Sequence, residues 1–170
     1  PEYSEEFIEN ELKRHGVKYQ YVKDIEGWIG QLVANKKIVG RFNGRMEYGP
    51  RALGNRSILY QAADPKVNDW LNKRLKRTEF MPFAPVCLIE DAGKYFRNLE
   101  GAEYAARFMT ITFDCTELMK ESCPAAVHID MTARPQLVSL DNNPDIYSII
   151  TEYKKITGIS LLINTSFNMH

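Results

Sequence analysis

Apolar positions recur along this chain at two periods, and the alternation between them sets out the elements. Residues 2–15 carry Phe7, Ile8 and Leu12 on one side of a helical repeat that is otherwise charged, with Ser4 placed to cap it and Gly16 to stop it. A short extended piece, 18–22, leads to a second helical pattern over 25–35 through Ile25, Ile29, Leu32 and Val33. Strands are predicted at 37–42 and 57–61. Asp64-Pro65 then supplies an N-cap and a proline at the first helical position, for a helix running to about Lys76 on a stripe of Val67, Leu71 and Leu75. An inner strand at 82–90, a short helix at 91–96, a loop at 98–106 and a strand at 108–113 follow. The stretch 115–124 shows no readable period. His128 sits on an extended run, 124–130, ahead of a strand at 136–140. Asn143-Pro144 opens a clear helix in which Ile146, Ile149, Ile150, Tyr153 and Ile156 repeat every 3.6 residues until Gly158. Residues 159–163 form a last apolar strand, and the polar tract Asn164-Thr165-Ser166-Phe167-Asn168 comes after it. Irregular alternation of strands and helices predicts an α/β fold in which helices pack on an open, twisted, mixed sheet.

One stretch interrupts these periods. Residues 40–56 hold four glycines and four arginines (Arg41, Arg45, Arg51, Arg56), with Glu47 the sole acid between Ile38 and Ala63. Glycine lets a backbone turn sharply and approach a ligand, and guanidinium forks match phosphate or carboxylate oxygens. The stretch reads as an anion cradle between two strands, or as a long structural turn with solvated arginines. It lacks the Gly-Lys-Ser/Thr ending of a P-loop and the Gly-x-Gly-x-x-Gly spacing of a dinucleotide fold. The basic cluster Lys73, Arg74, Lys76 and Arg77 is explained equally by the helix dipole and by a ligand. A lone His128 is ordinarily structural, and the terminal polar tract reads as a turn or as the strand-end site of an open α/β sheet.

Composition narrows the classes. Of 170 residues, 44% are hydrophobic, enough for the core of one domain, and Lys plus Arg balance Asp plus Glu at 22 each, so no global field favours a polyanion. Nucleic acid is therefore not an expected partner. Cys87, Cys115 and Cys123 show no metal-ligand spacing and are expected as reduced thiols of a cytoplasmic protein, with Cys87 in the core. No apolar run approaches the ~20 residues of a membrane span, so no membrane is expected. His15, His128 and His170 are too scattered for a metal centre, and no metal ligand is assigned in this chain.

Residues 47–59, Glu-Tyr-Gly-Pro-Arg-Ala-Leu-Gly-Asn-Arg-Ser-Ile-Leu, closely resemble the hallmark of the O-carbamoyltransferases of nodulation-factor and antibiotic biosynthesis. Four further blocks stand in the right order: Leu-Asn-Lys-Arg-Leu-Lys at 71–76, Pro-Phe-Ala-Pro at 82–85, His-Ile-Asp-Met-Thr-Ala-Arg at 128–134 and Asn-Thr-Ser-Phe-Asn at 164–168. The resemblance covers about 39–170, leaving 1–36 as a helical lead-in. It implies a C-terminal domain similar to the YrdC/Sua5 fold that makes carbamoyl-adenylate from carbamoyl phosphate and ATP, with Mg²⁺ bridging phosphate oxygens. A separate N-terminal Kae1-like domain holding iron, absent from this chain, would then move the carbamoyl group to an acceptor hydroxyl.

Matched position by position, the resemblance places Arg51, Lys76, Arg134 and Ser166 on carbamoyl phosphate and the nucleotide phosphates, with Asn164 and His128 as neighbours. Arg51 and Lys76 are the expected catalytic cations, since adenylation needs positioning and charge stabilisation rather than a side-chain nucleophile. Arg45, Arg77 and Asn168 complete the expected binding set. The family commonly has arginine before Pro-Phe-Ala-Pro, where this chain has Met81 and is one residue shorter after Lys76. Either Arg77 or Arg74 takes over that contact, or one phosphate grip is missing. Two other classes stand beside the enzyme: an RNA- or tRNA-binding module of the related fold, and a non-catalytic half that docks on the missing domain.

Overall fold

A computed structural model describes residues 2–67, 73 and 83–167. Two helices open the chain. In α1 (Glu5–Arg14) the Ser4 hydroxyl accepts from the Phe7 N–H at 3.2 Å, Glu5 and Glu6 occupy the first turn and Lys13 and Arg14 the last, so cap and dipole agree. The side carrying Phe7 and Ile8 does not enter the core, and α1 buries no residue. Helix α2 (Ile25–Ala34), capped by Asp24, buries Ile29, Gly30 and Val33. The predicted extended piece at 18–22 has no regular structure.

The framework is a five-stranded mixed sheet in the order β1 (Val39–Phe42), β2 (Arg56–Gln61), β7 (Leu161–Ser166), β3 (Pro85–Leu88), β6 (Gln136–Val138). Only the β3–β6 pair is parallel; the other three are antiparallel. Alternation along each strand splits the core in two. Leu59, Val86, Leu88, Val138 and Leu162 face α2 and the long helix α6 (Pro144–Thr157), while Tyr60, Cys87, Leu137, Leu161 and Ile163 face the irregular layer built from residues 83–133. Each fully buried aliphatic side chain contributes about 1.5–3 kcal/mol. A Cβ on Gly30 would lie 2.8 Å from the Ile149 carbonyl oxygen, so only glycine lets α2 lie this close on α6. Gly158, at φ 77°, ends α6 in the left-handed conformation expected of a C-terminal glycine.

The irregular layer contains α3 (Ala92–Tyr95), α4 (Glu103–Ala106), α5 (Glu117–Ser122) and a small second sheet of β4 (Phe113–Asp114) with β5 (Thr132–Ala133). The strand expected at 108–113 shrinks to Phe113–Asp114, the loop at 98–106 contains α4, and the unreadable stretch 115–124 contains α5, capped by the Thr116 hydroxyl. The two to six residues of α4, β4 and α5 offered too few apolar positions for their period to show. The extended run expected around His128 is a 3₁₀ turn, Pro124–Ala126, followed by a tight turn in which His128 N–H donates to the Thr132 carbonyl at 2.7 Å. Strand β7 also runs further than expected: Asn164, Thr165 and Ser166 pair with Leu59, Ile58 and Ser57 as its second half rather than following it as a turn. Cys87, Cys115 and Cys123 are free and buried; burial pushes the Cys87 thiol well up and the other two up to about 11, so all three are protonated at neutral pH.

Buried charge outside the site is paired. Burial would raise the Asp91 carboxyl, but hydrogen bonds from Lys154, Lys94 and Ser160 outweigh it and hold the group well below the usual carboxylate range. No helix among the described residues is long and apolar enough to cross a membrane.

Candidate functional site

The face of the sheet under α2 and α6 is apolar along most of its length and turns polar at one end. By strand alternation Arg41 follows Val39, Ser57 precedes Leu59, Asn164 and Ser166 follow Leu162, and Gln136 precedes Val138 on that face. The β1–β2 loop, residues 43–55, and the first turn of α6 close this end.

The loop is held from within and from the sheet. Glu47 Oε1 accepts from the backbone N–H groups of Leu53, Asn55 and Arg56 at 2.8, 2.6 and 3.2 Å, so the lone acid of the stretch clasps the loop shut. Gly54 sits at φ 127°, where a Cβ would meet Ile146 Cγ1 at 2.7 Å; turn and close approach both demand glycine. From the sheet and α6, Gln136 Nε2 and Asn143 Nδ2 donate to the Leu53 carbonyl at 2.7 and 2.9 Å, and Asn164 Nδ2 donates to the Ala52 carbonyl at 3.1 Å. Asn143 also caps α6 by accepting from Ile146 N–H at 3.2 Å, so one side chain ties helix to loop.

Two of the four loop arginines are structural. Arg41, buried, donates to the Gly54 carbonyl at 2.7 Å and pairs with Asp145 at 2.6 Å, and Asn43 donates to the same carboxylate at 2.8 Å. Asp145 lies in the first turn of α6, where negative charge is favoured. Arg56 donates to the carbonyls of Asn43, Gly44 and Asn55 and stacks 3.5 Å over the Phe42 ring. The cradle of four arginines is thus corrected to a smaller set. Arg45 is 81% exposed and pairs with Glu2 at 3.1 Å, beside an open cleft of about 790 Å³ lined by Glu2, Tyr3, Ser4 and Arg45.

Arg51 is exposed and shows no ion pair or hydrogen bond among the described residues. It is close enough to Arg134 for its charge to be felt there: burial chiefly, and Arg51 next, depress the Arg134 guanidinium. Arg134 Nε is buried without a partner, as are Ser57 Oγ and Asn164 Oδ1. Two neighbouring cations, one of them with a buried N–H left unmet, can hold an anion between them. His128 stands nearby in the turn before β5. Thr132 Oγ1 gives its proton to Asp130 at 2.7 Å, so at 3.3 Å from His128 Nδ1 it acts as acceptor, placing the imidazole proton on Nδ1 and leaving the Nε2 lone pair free. Burial, opposed by Asp130 and aided by Arg134, lowers the His128 pKa, so the ring is neutral at pH 7.

The structure therefore brings Arg51, Arg134, Asn164, Ser166 and the His128 turn to one end of the sheet, and sets Arg45 apart. Lys73 is helical and exposed; Lys76, Arg77 and Asn168 lie outside the described residues. Sequence reasoning missed Gln136, Asn143 and Ser57. Gln136 and Ser57 carried a signal, each being a polar residue at a core-facing position at the start of an apolar strand. Among the described residues no group of three or more His, Cys, Asp or Glu is placed to hold a metal.

Fold and site together define a mixed α/β domain that gathers cations and buried polar groups at one end of its sheet. The chain belongs to the family described as the carbamoyltransferase C-terminus, which it matches over residues 30–170. It is 40% identical to an uncharacterized protein of Methanocaldococcus jannaschii, over the whole chain and 28% of that protein. It is 39% identical to nodulation protein NolO of Bradyrhizobium diazoefficiens, over 85% of the chain and 26% of NolO, and equally to nodulation protein U of Rhizobium tropici, over 84% and 24%. The chain thus spans about a quarter of the length of these relatives. Among solved structures, full-length HypF in its phosphate- and nucleotide-bound form superposes with a TM-score of 0.54 over 90% of this chain and 18% of HypF; at 16% identity the likeness is one of fold.

Proposed function

We propose that this chain is the part of an O-carbamoyltransferase that binds carbamoyl phosphate and ATP and forms carbamoyl-adenylate, in a fold of the YrdC/Sua5 type. The observation that carries the reading is the unpaired cation pair Arg51 and Arg134 beside buried polar atoms without partners, in a chain of this family. Carbamoyl phosphate plus water yields carbamate and phosphate; a carbamate oxygen then attacks the α-phosphorus of ATP, and pyrophosphate leaves. Negative charge builds on the phosphate oxygens, where fixed guanidinium donors stabilise it without reorganising. Arg51 and Arg134 hold these oxygens, with Ser166 donating from the end of β7. Lys76, Arg77 and Asn168 are proposed to add contacts, and Arg45 is the outermost candidate. Neutral His128 presents an acceptor nitrogen to a water or substrate proton. Mg²⁺ supplies further charge neutralisation on the phosphates.

Delivery to an acceptor hydroxyl is assigned to a separate N-terminal Kae1-like domain holding iron, and a cytoplasmic setting suits three free thiols. The test follows labelled carbamoyl phosphate with ATP and Mg²⁺. Pyrophosphate release that depends on carbamoyl phosphate is expected, with no carbamoyl ester on any of a panel of sugar alcohols. Absence of binding of both substrates overturns the reading, and ester formed by this chain alone overturns the division between two domains.

A further inference from the structure

Asn164 is 1% exposed, and its amide orientation is set by its neighbours. Nδ2 donates to the Ala52 carbonyl at 3.1 Å and to Gln136 Oε1 at 2.8 Å; turning the amide over would point Oδ1 at two acceptors. Gln136 is held the same way round by its own donation to the Leu53 carbonyl. Oδ1 is buried, and nothing among the described residues donates to it. Leaving a buried acceptor unmet costs about 1–3 kcal/mol, and native proteins seldom do so without a reason.

Its position suggests the reason. One side-chain bond leads to Ala52, the residue after Arg51, and the other to Gln136, two residues after Arg134, whose Nε is also unmet. Ser57 Oγ, fully buried and without a partner, lies on the same sheet face. A phosphate or carboxylate satisfies a guanidinium but brings no N–H to Oδ1. A water, a ribose hydroxyl or a substrate N–H can each donate to Oδ1, but a ligand that joins an N–H donor to an anionic group over a short distance meets Oδ1 and the guanidinium at once. In carbamoyl phosphate the amide nitrogen is only a few bonds from the phosphorus, whereas in ATP the adenine amine is separated from the phosphates by the whole nucleoside.

We propose that Asn164 Oδ1 accepts a hydrogen bond from the carbamoyl N–H, and that Asn164 thereby distinguishes a carbamoyl group from acyl groups that lack one. The proposal rests on the carbamoyl phosphate reading above and deepens it to one atom. Acetyl phosphate is the discriminating probe, because it replaces the NH₂ with a methyl group of similar size and leaves the phosphate unchanged. A site built to bond an N–H rejects the analogue without it, because the acceptor is then left unmet.

Calorimetry on the folded protein with carbamoyl phosphate, acetyl phosphate and inorganic phosphate tests this. Wild type is expected to bind carbamoyl phosphate on the order of tenfold more tightly than acetyl phosphate, and Asn164→Leu is expected to bring that ratio close to one. General damage to the loop would weaken both ligands together and leave the ratio intact, and the wild-type comparison stands even where the variant does not fold. Equal wild-type affinities, or a ratio that survives in Asn164→Leu, overturn the proposal while leaving the carbamoyl phosphate reading in place. A variant that loses preference for ATP over inosine triphosphate but keeps the carbamoyl ratio also overturns it. Failure of wild type to bind carbamoyl phosphate at all removes the functional reading and this proposal together.

Discussion

Two pairs of arginines meet at the polar end of the sheet and do different work. Arg41 and Arg56 are fully engaged: the first is buried against Asp145 and the Gly54 carbonyl, the second gathers three loop carbonyls and stacks on Phe42. Arg51 and Arg134 pair with no carboxylate among the described residues, although Arg134 is half-buried and feels the charge of Arg51. Folding repays the desolvation of a guanidinium only where partners are supplied. The first pair therefore reads as scaffold and the second as a site, a distinction invisible in residue type because all four are arginine.

The largest expected effect strikes the scaffold pair. Asp145→Ala strands the buried Arg41 guanidinium and removes the acceptor of Asn43; urea unfolding should show a loss of about 3 kcal/mol. A loss below about 0.5 kcal/mol, the range of ordinary surface changes, would erase the contrast. Next comes the site pair. Arg51→Ala should leave the unfolding midpoint unchanged or slightly raised, since it removes repulsion on Arg134. It should weaken carbamoyl phosphate or ATP by tenfold or more, as a charge-assisted hydrogen bond is typically worth about 1.5–3 kcal/mol. Unchanged affinity on calorimetry would make Arg51 a solvated surface residue.

The smallest effect sharpens the comparison with a buried pair outside the site. The Asp91 carboxyl is depressed in the fold, so its pairing with Lys154 and Lys94 contributes stability that is fully present above the ordinary aspartate pKa of about 4 and is lost as pH falls below it. Stability measured from pH 7 down to pH 2.5 should fall less steeply in Asp91→Asn than in wild type, the difference at neutral pH being about 2 kcal/mol. Parallel curves would show that the pair contributes nothing.

Long periodic elements and their stop signals were legible in the chain itself. Helix α6 begins at Asn143-Pro144 and ends at Gly158 as read, and Cys87 lies in the core as expected. Local propensity, capping and a 3.6-residue repeat over fourteen residues act within the segment and need no partner. In the layer at 83–133 the short helix α3 was legible, but α4, α5 and the β4–β5 pair were not, because they are stabilised by what they pack on rather than by their own pattern. The apolar side of α1 was legible as a pattern, but its Phe7 and Ile8 stay exposed, since burial needs a face to meet.

In the site, residue types alone marked the stretch at 40–56 and, through family resemblance, Arg51, Arg134, Asn164 and Ser166 as candidates. Only the tertiary structure decided that Glu47 clasps the loop, that Asp145, more than a hundred residues away in the chain, claims Arg41, and that Asn164 reaches Ala52 while its own carbonyl oxygen goes unmet. Hydrogen-bond partnership is settled by which donors and acceptors come within about 3 Å after strands pair and helices pack. A sequence lists those groups without stating which of them folding leaves unpaired.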